Sequence, residues 1–208
     1  QEKVIDAKTN IICSEKYIYG KNKRIMLCHC GGGFRNLNLG ITYSCNSYFA
    51  MAFRSTIEKY DNASQSMDRW SHHIKSFGLG SFLGNDLAVG KKGNIPDGNY
   101  YDIWYPDFKW GATTIISNSI GQGEILVTPI QLANMTAAIA NKGFYYTPHI
   151  IKSIENEAMD PNFTTPKQTT ISPEYFEAVI EGMHNVYNKG TASFLKVPGI
   201  EICGKTGT

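Results

Sequence analysis

The chain has 208 residues, of which 42% are hydrophobic and 18% are charged, and its net charge is +2 at pH 7. This composition is that of a globular protein, and the length suffices for one sizeable domain with its own core. The sequence contains no basic block or stripe, which argues against nucleic acid as the main partner. No apolar run approaches the length of a transmembrane helix.

The first 60 residues predict short strands followed by helix. Alternating polar and apolar residues over 16–20 and 24–28 indicate two strands, and a glycine turn at 31–33 ends this region. From residue 38 to residue 60 the pattern is mostly helical. Ser44 and Asn46 favour helix caps over helix interiors, so we expect this stretch to form two helices.

The middle of the chain predicts one short helix and one long loop. The helix covers residues 68–77, and residues 81–118 have no regular pattern. A loop of this length is usually functional or disordered. Its many aromatic residues favour a packed, functional loop: Tyr100, Tyr101, Trp104, Tyr105, Phe108 and Trp110.

Two further helices have clear boundary signals. The first lies between Thr128 and Gly143 and the second between Ser172 and Gly190, each with proline directly after its capping residue. Strands are predicted over residues 144–154 and 200–205.

The cysteine pattern predicts no metal ion and no cofactor. The chain has an odd number of cysteines, so at least one is unpaired within it. The run Cys28-His29-Cys30 suggests zinc, but structural zinc sites usually space paired cysteines as C-x2-4-C, and no second pair follows. An oxidising compartment would permit a Cys13–Cys28 disulfide, which spacing alone does not establish. The five cysteines are Cys13, Cys28, Cys30, Cys45 and Cys203.

The C-terminal tetrapeptide has the chemistry of a strand edge that binds a carboxylate. Lys205 supplies charge, Thr206 and Thr208 supply hydroxyl groups, and Gly207 permits close backbone approach. The backbone N–H after the glycine can face a developing oxyanion. Taken alone, the tetrapeptide is more typical of a strand that runs into a glycine turn.

The triplet Ser44-Cys45-Asn46 is, taken alone, typical of a helix cap. In a catalytic site, the Ser44 hydroxyl would pass a proton, and the Asn46 amide would orient both a lysine and the substrate backbone.

Other suggestive patterns are interpreted as structural. The Gly121-Gln122-Gly123 run lacks the G-K-[ST] of a phosphate loop and predicts a turn. Ser193 and Lys196 match S-x-x-K, but their position before the last predicted strand indicates a surface turn or helix end. No histidine lies in a G-x-S-x-G nucleophile elbow, so the histidines are expected at the surface or in packing.

The order of the two motifs, S-x-N first and K-T-G last, resembles the penicillin-binding proteins. More narrowly, the chain is similar to the class B transpeptidases related to penicillin-binding protein 2. The supporting stretches are residues 29–49, which contain S-C-N-x-Y-F, residues 120–133, which contain G-Q-G and T-P-x-Q-x-A, and residues 190–192 ahead of the K-T-G motif.

The resemblance implies a serine β-lactamase/D,D-peptidase-like α/β (α+β) fold, with an antiparallel sheet flanked by helices. It implies that a serine attacks the D-Ala-D-Ala carbonyl of a peptidoglycan stem peptide and forms an acyl-enzyme, and that β-lactams acylate the same serine.

The resemblance also implies individual roles. Ser44 would relay a proton, Asn46 would orient the substrate amide and the catalytic lysine, and Lys205 would shape the field and assist the relay. The substrate-binding residues would be Thr206, Gly207 and Thr208, with the N–H of Thr208 on one side of the oxyanion hole.

In this family the nucleophile motif S-x-x-K precedes S-x-N, and no match precedes Ser44 here. We therefore expect residues 1–208 to form a partial transpeptidase domain, from after the S-x-x-K helix to the K-T-G strand. The chain alone is expected to be inactive. Part of the family's five-stranded sheet would be missing, which predicts partial stability or self-association.

The resemblance implies an anchor in the cytoplasmic membrane, with the catalytic domain on the periplasmic side. It implies cell-wall elongation proteins as partners, and the S-C-N and G-Q-G signatures favour a role in elongation and cell shape, with division left open. Two alternatives remain open. One is a β-lactamase or β-lactam sensor, against which the 128–131 segment and the aromatic loop argue. The other is a non-catalytic module that docks an elongation partner through its aromatic loop.

Overall fold

The structure is a computed structural model that describes residues 2–87 and 89–207. Helices form most of its regular structure, and short 3-10 helices cover Ile116–Ile120, Pro173–Tyr175 and Ser193–Leu195. The α-helices are α1 (Leu37–Thr42), α2 (Asn46–Ile57), α3 (Ala63–Lys75), α4 (Gly98–Trp104), α5 (Pro129–Ala140), α6 (Pro161–Thr164) and α7 (Phe176–Asn188).

The strands of the described residues are β1 (Ile11–Cys13), β2 (Lys16–Tyr19), β3 (Arg24–Leu27), β4 (Gly33–Arg35), β5 (Phe144–Tyr145) and β6 (Lys167–Gln168). They form three separate two-stranded antiparallel sheets. In the first, β1 pairs with β4 and places Cys13 opposite Gly33. In the second, β2 pairs with β3, which confirms the two predicted N-terminal strands. The third joins β5 to β6.

The predicted division of the helical stretch 38–60 is confirmed. Helix α1 ends at Thr42 and α2 begins at Asn46. Between them Ser44 has a φ of +52°, in the left-handed region that most residues avoid. The Cys45 N–H then donates to the Gly40 carbonyl at 2.9 Å, which closes the turn. This sharp reversal sets the direction in which the S-x-N side chains project.

Helix α5 begins as predicted. Thr128 and Gln131 form a capping box, in which the Thr128 N–H donates to Gln131 Oε1 at 2.9 Å. The buried Gln131 amide also donates to the carbonyls of Ser81 and Lys92 at 2.8 and 3.0 Å. One side chain therefore caps α5 and fastens the start of the long loop to it.

The prediction for residues 81–118 is partly wrong. The stretch contains α4, whose N-cap Asp97 accepts a hydrogen bond from the Tyr100 N–H at 3.0 Å. Aspartate at an N-cap is a start signal that the pattern analysis missed because the aromatic run obscured the helical period. The predicted packing is confirmed in part: Tyr101 and Trp110 are buried in the largest core cluster, with Tyr100 and Tyr105 packed against it. Trp104 and Phe108 are exposed.

Two other boundaries also differ. Helix α3 begins at Ala63 rather than at residue 68, because the Asn62 side chain caps it by accepting from the Ser64 and Gln65 N–H groups. Of the strand predicted over residues 144–154, only Phe144–Tyr145 is strand. A strand needs a paired neighbour, and β6 provides only a two-residue partner.

The strand predicted over residues 200–205 is also wrong for the described residues. This segment has no strand neighbour in the described part of the chain. It is held instead by α7, where the Gly204 N–H donates to the Met183 carbonyl at 3.2 Å.

The contact between α1 and α7 sets the positions of both motifs. Ile41, Val186 and Ala192 form one buried cluster between them. A Cβ on Gly182 would lie 2.9 Å from Ile41, so glycine permits this close approach. The Thr191 N–H donates to the Thr42 carbonyl at 3.2 Å. The chain leading to the K-T-G motif is therefore fastened beside the end of α1.

None of the helices in the described part of the chain combines the length and hydropathy needed to span a lipid bilayer. Several large apolar side chains are exposed, among them Ile12, Phe34, Val89 and Phe194. Partial stability and self-association stay predictions for this chain, and exposed apolar side chains favour self-association.

Candidate active site

The structure brings Ser44 and Lys205 into direct contact. The Lys205 Nζ donates to Ser44 Oγ at 2.7 Å across 161 positions of sequence. The same ammonium donates to the Thr206 carbonyl at 3.0 Å. The S-x-N and K-T-G motifs are therefore two sides of one site.

Lys205 is positioned by the glycine before it. A Cβ on Gly204 would lie 2.9 Å from the ring of Tyr187 on α7, so only glycine lets the segment lie this close to the helix. Burial lowers the pKa of the Lys205 ammonium below its ordinary value. The side chain therefore releases a proton more readily than a lysine in water, which suits a relay.

The K-T-G segment also presents hydroxyl groups and open backbone. The hydroxyl groups of Thr206 and Thr191 lie 2.9 Å apart. A Cβ on Gly207 would meet no atom within 4 Å, so the space beside it is open to a ligand. The remaining predicted residue, Thr208, lies outside the described residues.

The Asn46 side chain contacts a different group from the one predicted. Its amide donates to the Leu27 carbonyl at 2.8 Å, which joins the start of α2 to the end of β3. Among the described residues, no hydrogen bond links Asn46 to Lys205. Its role in orienting the lysine and the substrate stays a prediction.

A cluster of four cysteines lies directly behind the S-x-N triplet, and the sequence analysis missed it. All four sulfur atoms lie within 4.8 Å of one another, and all four side chains are buried. The shortest contacts are 3.5 Å for Cys28–Cys30, 3.5 Å for Cys13–Cys30 and 3.7 Å for Cys28–Cys45.

Each cysteine reaches the cluster from a different local structure. Cys13 ends β1, and Cys45 is the N-cap residue of α2. The Cys28 N–H donates to the Glu15 carbonyl at 2.8 Å. The Cys30 carbonyl accepts from the buried Arg35 guanidinium at 2.6 Å. Because Cys45 lies between Ser44 and Asn46, the cysteine cluster and the S-x-N triplet share one turn of backbone.

The four thiols have the donor set and spacing of a structural zinc site. With Zn–S bonds of about 2.3 Å, the sulfur atoms of a tetrahedral site lie about 3.8 Å apart. All four cysteines are free thiols, so the Cys13–Cys28 disulfide considered from the sequence is absent. The spacing argument overlooked this site because one C-x-C pair is completed by two single cysteines. The sequence signal that could have revealed the cluster is that four of the five cysteines lie within the first 45 residues.

The thiols in the cluster differ in acidity. Burial acts to raise the pKa of Cys28, but the Ser47 N–H and the neighbouring thiols outweigh it and lower the pKa to about 7. Burial raises the pKa of Cys30 and of Cys45. Metal ligation requires thiolates, and Cys28 is the thiol that ionises most readily of these three.

The S-x-x-K match at Ser193, the G-Q-G run and His73 have the structural roles expected from the sequence. Ser193 is exposed in the 3-10 helix Ser193–Leu195, as expected of a surface turn. Gly121 ends the 3-10 helix Ile116–Ile120 in the left-handed conformation, so the G-Q-G run is a turn. His73 packs against Thr170 and contacts Glu2.

Comparison with known proteins agrees with the geometry. A family model described as "Penicillin binding protein transpeptidase domain" matches residues 1–208. The peptidoglycan D,D-transpeptidase MrdA of Haemophilus influenzae is 31% identical over 189 residues, which cover 86% of this chain and 27% of that protein.

Solved structures give the same answer. The crystal structure of Pseudomonas aeruginosa penicillin-binding protein 2 has a TM-score of 0.79 at 25% identity, over 98% of this chain and 45% of that one. Penicillin-binding protein 2 of Helicobacter pylori, solved in a complex with MreC, has a TM-score of 0.75 at 26% identity, over 98% of this chain and 36% of that one.

The chain spans about a quarter of the length of the curated relatives it matches. The structural neighbours confirm the predicted α/β fold class of the penicillin-binding transpeptidases. With the family model matching all 208 residues, the chain belongs to the penicillin-binding protein transpeptidase domain family.

Proposed function

We propose that this chain provides the S-x-N and K-T-G sides of a serine D,D-transpeptidase site that cross-links peptidoglycan stem peptides and is acylated by β-lactams. The observation that supports this most directly is the 2.7 Å contact between Lys205 Nζ and Ser44 Oγ. It joins a cation and a hydroxyl group, which are the two parts of a proton relay. The contact lies next to Gly207, where the space beside the backbone is open.

Ser44 and Lys205 would move the proton. While Ser44 Oγ accepts a hydrogen bond from Lys205, its own O–H remains free to donate to the nitrogen of the departing D-alanine. Lys205, with its lowered pKa, would then return a proton to Ser44. The field of the ammonium also favours the negative charge that develops on the attacked carbonyl oxygen.

The K-T-G segment would hold the substrate. The Thr206 hydroxyl and the Lys205 charge form a site for the terminal carboxylate of D-Ala-D-Ala. The open space beside Gly207 lets the peptide lie against the backbone. Thr208 is proposed to donate its N–H to the oxyanion, and Asn46 to bind the substrate amide.

The nucleophile is proposed to be the serine of an S-x-x-K motif outside these 208 residues. Within them, the one literal match is Ser193 with Lys196, and Ser193 is exposed on a surface turn. Residues 1–208 would then be a partial transpeptidase domain, inactive until the segment with the nucleophile packs against it.

The site of action and the partners are inferred from relatives. We propose that the protein acts at the outer face of the cytoplasmic membrane with cell-wall elongation proteins. The supporting observation is that the H. pylori relative was solved in a complex with MreC.

Intact mass spectrometry with penicillin tests the proposal. The folded chain alone should gain no mass, whereas a longer protein from the same gene that includes S-x-x-K should gain one penicilloyl group per chain. An adduct on Ser44 or Ser193 of the chain alone would show that the nucleophile is assigned to the wrong serine. A longer protein that is folded but never labelled would refute the proposed function.

Slow release of the penicilloyl group would distinguish a transpeptidase from a β-lactamase. We expect the adduct of the longer protein to persist for many minutes. Rapid hydrolysis, followed as loss of the β-lactam in excess over enzyme, would favour the β-lactamase alternative.

A further inference from the structure

Helix α4 and its C-cap residue carry four aromatic side chains in two i, i+4 pairs. Residues four positions apart lie on the same face of a helix. The ring centroids of Tyr100 and Trp104 are 6.1 Å apart, and those of Tyr101 and Tyr105 are 6.4 Å apart. Tyr100 and Tyr101 meet edge to face at 5.3 Å. The two pairs therefore form one continuous aromatic surface.

Glu124 closes this surface into a cavity. The cavity has a volume of about 240 Å³ and is lined by the four rings and by Glu124, which directly follows the G-Q-G turn. The Glu124 Oε2 atom accepts a hydrogen bond from the buried Tyr101 hydroxyl at 2.8 Å. The Asn94 amide donates to the Glu124 carbonyl at 2.7 Å. Both the carboxylate and the backbone of Glu124 are therefore held in place before a ligand arrives.

The Tyr101 hydroxyl has no capacity left for a ligand, whereas the carboxylate does. Burial raises the pKa of Tyr101 above its ordinary value, and the neighbouring Glu124 charge adds to the rise, so the hydroxyl stays protonated. It donates its proton to Glu124 and accepts from the buried Asn118 amide at 2.5 Å. Within the described residues, no hydrogen bond reaches the other carboxylate oxygen, Oε1, which is left to a ligand.

The described part of the chain supplies no cation to this cavity. None of its ion pairs includes Glu124. Its contacts between a cation and a ring involve only Tyr43 and Tyr60. Aromatic faces and a carboxylate both attract positive charge. The cavity is therefore complementary to a small organic cation that comes from another molecule.

We propose that this aromatic cage (Tyr100, Tyr101, Trp104, Tyr105 and Glu124) binds a primary alkylammonium group, such as the end of a lysine side chain. The ammonium donates to Glu124, and its alkyl chain packs against the rings, including Trp104, which is 66% exposed. Sites for drug-sized ligands usually have volumes of about 300 Å³ or more, so this smaller cavity suits a single side chain. The proposal does not depend on the transpeptidase function.

Titration of the whole chain with butylammonium chloride tests the proposal. Ligand-observed NMR follows binding, and circular dichroism confirms folding. We expect one saturable site with a Kd in the millimolar range, as suits so small a ligand. Tetramethylammonium has the charge but no N–H donor and should bind about threefold to tenfold more weakly. 1-Butanol has the same shape without the charge and should bind at least about tenfold more weakly.

Three variants locate the site. Glu124→Gln removes the charge but keeps an oxygen that accepts from Tyr101, and it should weaken butylammonium binding about tenfold. Trp104→Ala removes the exposed ring and should weaken binding about threefold or more. Glu181→Gln removes the same charge from an exposed position on α7 and should leave the affinity unchanged. If Trp104→Ala fails to fold, Glu124→Gln decides the question.

Two further probes identify the source of the ammonium group. Free lysine represents a small molecule, and the capped tripeptide acetyl-Ala-Lys-Ala-amide represents a lysine within a protein. Both should compete with butylammonium. Tighter binding of free lysine would support a small-molecule ligand, and tighter binding of the tripeptide would support a lysine side chain of a protein.

Three outcomes would overturn the proposal. The first is a folded chain that shows no saturable binding of butylammonium. The second is binding of 1-butanol as tight as that of butylammonium. The third is a Glu124→Gln variant that binds butylammonium as tightly as the unaltered chain. None of these measurements involves acylation by penicillin, so a failure here is distinguishable from a failure of the proposed function.

Discussion

The two sides of the Ser44-Cys45-Asn46 triplet are built on different principles. On one side, Ser44 meets Lys205 because the packing of α1 on α7 brings two distant motifs together. On the other side, Cys45 meets three other thiols that come from the first 30 residues. The first side was recognisable as a motif in sequence order, and the second exists only as a cluster in space.

The difference shows what a linear motif encodes. S-x-N and K-T-G are short runs of defined residue types in a defined order, so they can be found by reading along the chain. A cluster of four thiols needs only sulfur atoms at the right distances from one another. Here a turn, a strand end and a helix cap supply the cysteines, so their spacing in the sequence follows no motif. Linear motifs therefore reveal the first kind of site better than the second.

The largest effect is expected at the contact between Lys205 and Ser44. In a longer protein that reacts with penicillin, Lys205→Ala should slow acylation by about a hundredfold to ten-thousandfold, the usual contribution of a proton-transfer group. The rate of fluorescent penicillin labelling measures it. Lys196→Ala, in the exposed S-x-x-K match, is the matched control and should leave the rate unchanged. Equal losses in both variants would remove Lys205 from the relay.

Much of the fold was predictable from local signals, and the site only in part. The α1–α2 break, the cap at Thr128 and the two N-terminal strands follow from residue types that act within a few positions. The start of α3 was placed five residues late, although Asn62 is a strong cap. The strand expected at residues 200–205 failed because a strand is defined by its neighbour, which no local pattern reveals.

The packing that joins the two motifs should be sensitive to a single methyl group. A Cβ on Gly190 would collide with the Thr42 carbonyl at the end of α1. Gly190→Ala should therefore destabilise the chain by about 1–3 kcal/mol, as overpacking does. Gly111→Ala is the control, since its added Cβ meets no atom within 4 Å. Urea unfolding compares the two, and equal midpoints would show that the α1–α7 contact yields without cost.

A smaller effect is expected at Asn46, whose side chain joins the start of α2 to the end of β3. Asn46→Ala removes the hydrogen bond to the Leu27 carbonyl and should cost about 1 kcal/mol. The loss should appear as faster amide exchange in β2 and β3, measured by mass spectrometry. Unchanged exchange there, with slower acylation in the longer protein, would mean that Asn46 acts on substrate rather than on the hairpin.

The smallest effect concerns the segment that leads into β1 and Cys13. A hydrogen bond from Lys59, at 2.9 Å, lowers the pKa of Glu2 from its ordinary value of 4.5 to about 2. A carboxyl group with a lowered pKa stabilises the fold above its unfolded value, and this stabilisation is lost as the pH falls from 4.5 towards 2. Since the pair is partly exposed, we expect less than about 1 kcal/mol. Urea midpoints between pH 7 and pH 2 should therefore fall less steeply in Lys59→Met than in the unaltered chain. Identical slopes would show that the Glu2–Lys59 contact does not contribute to the stability of the fold.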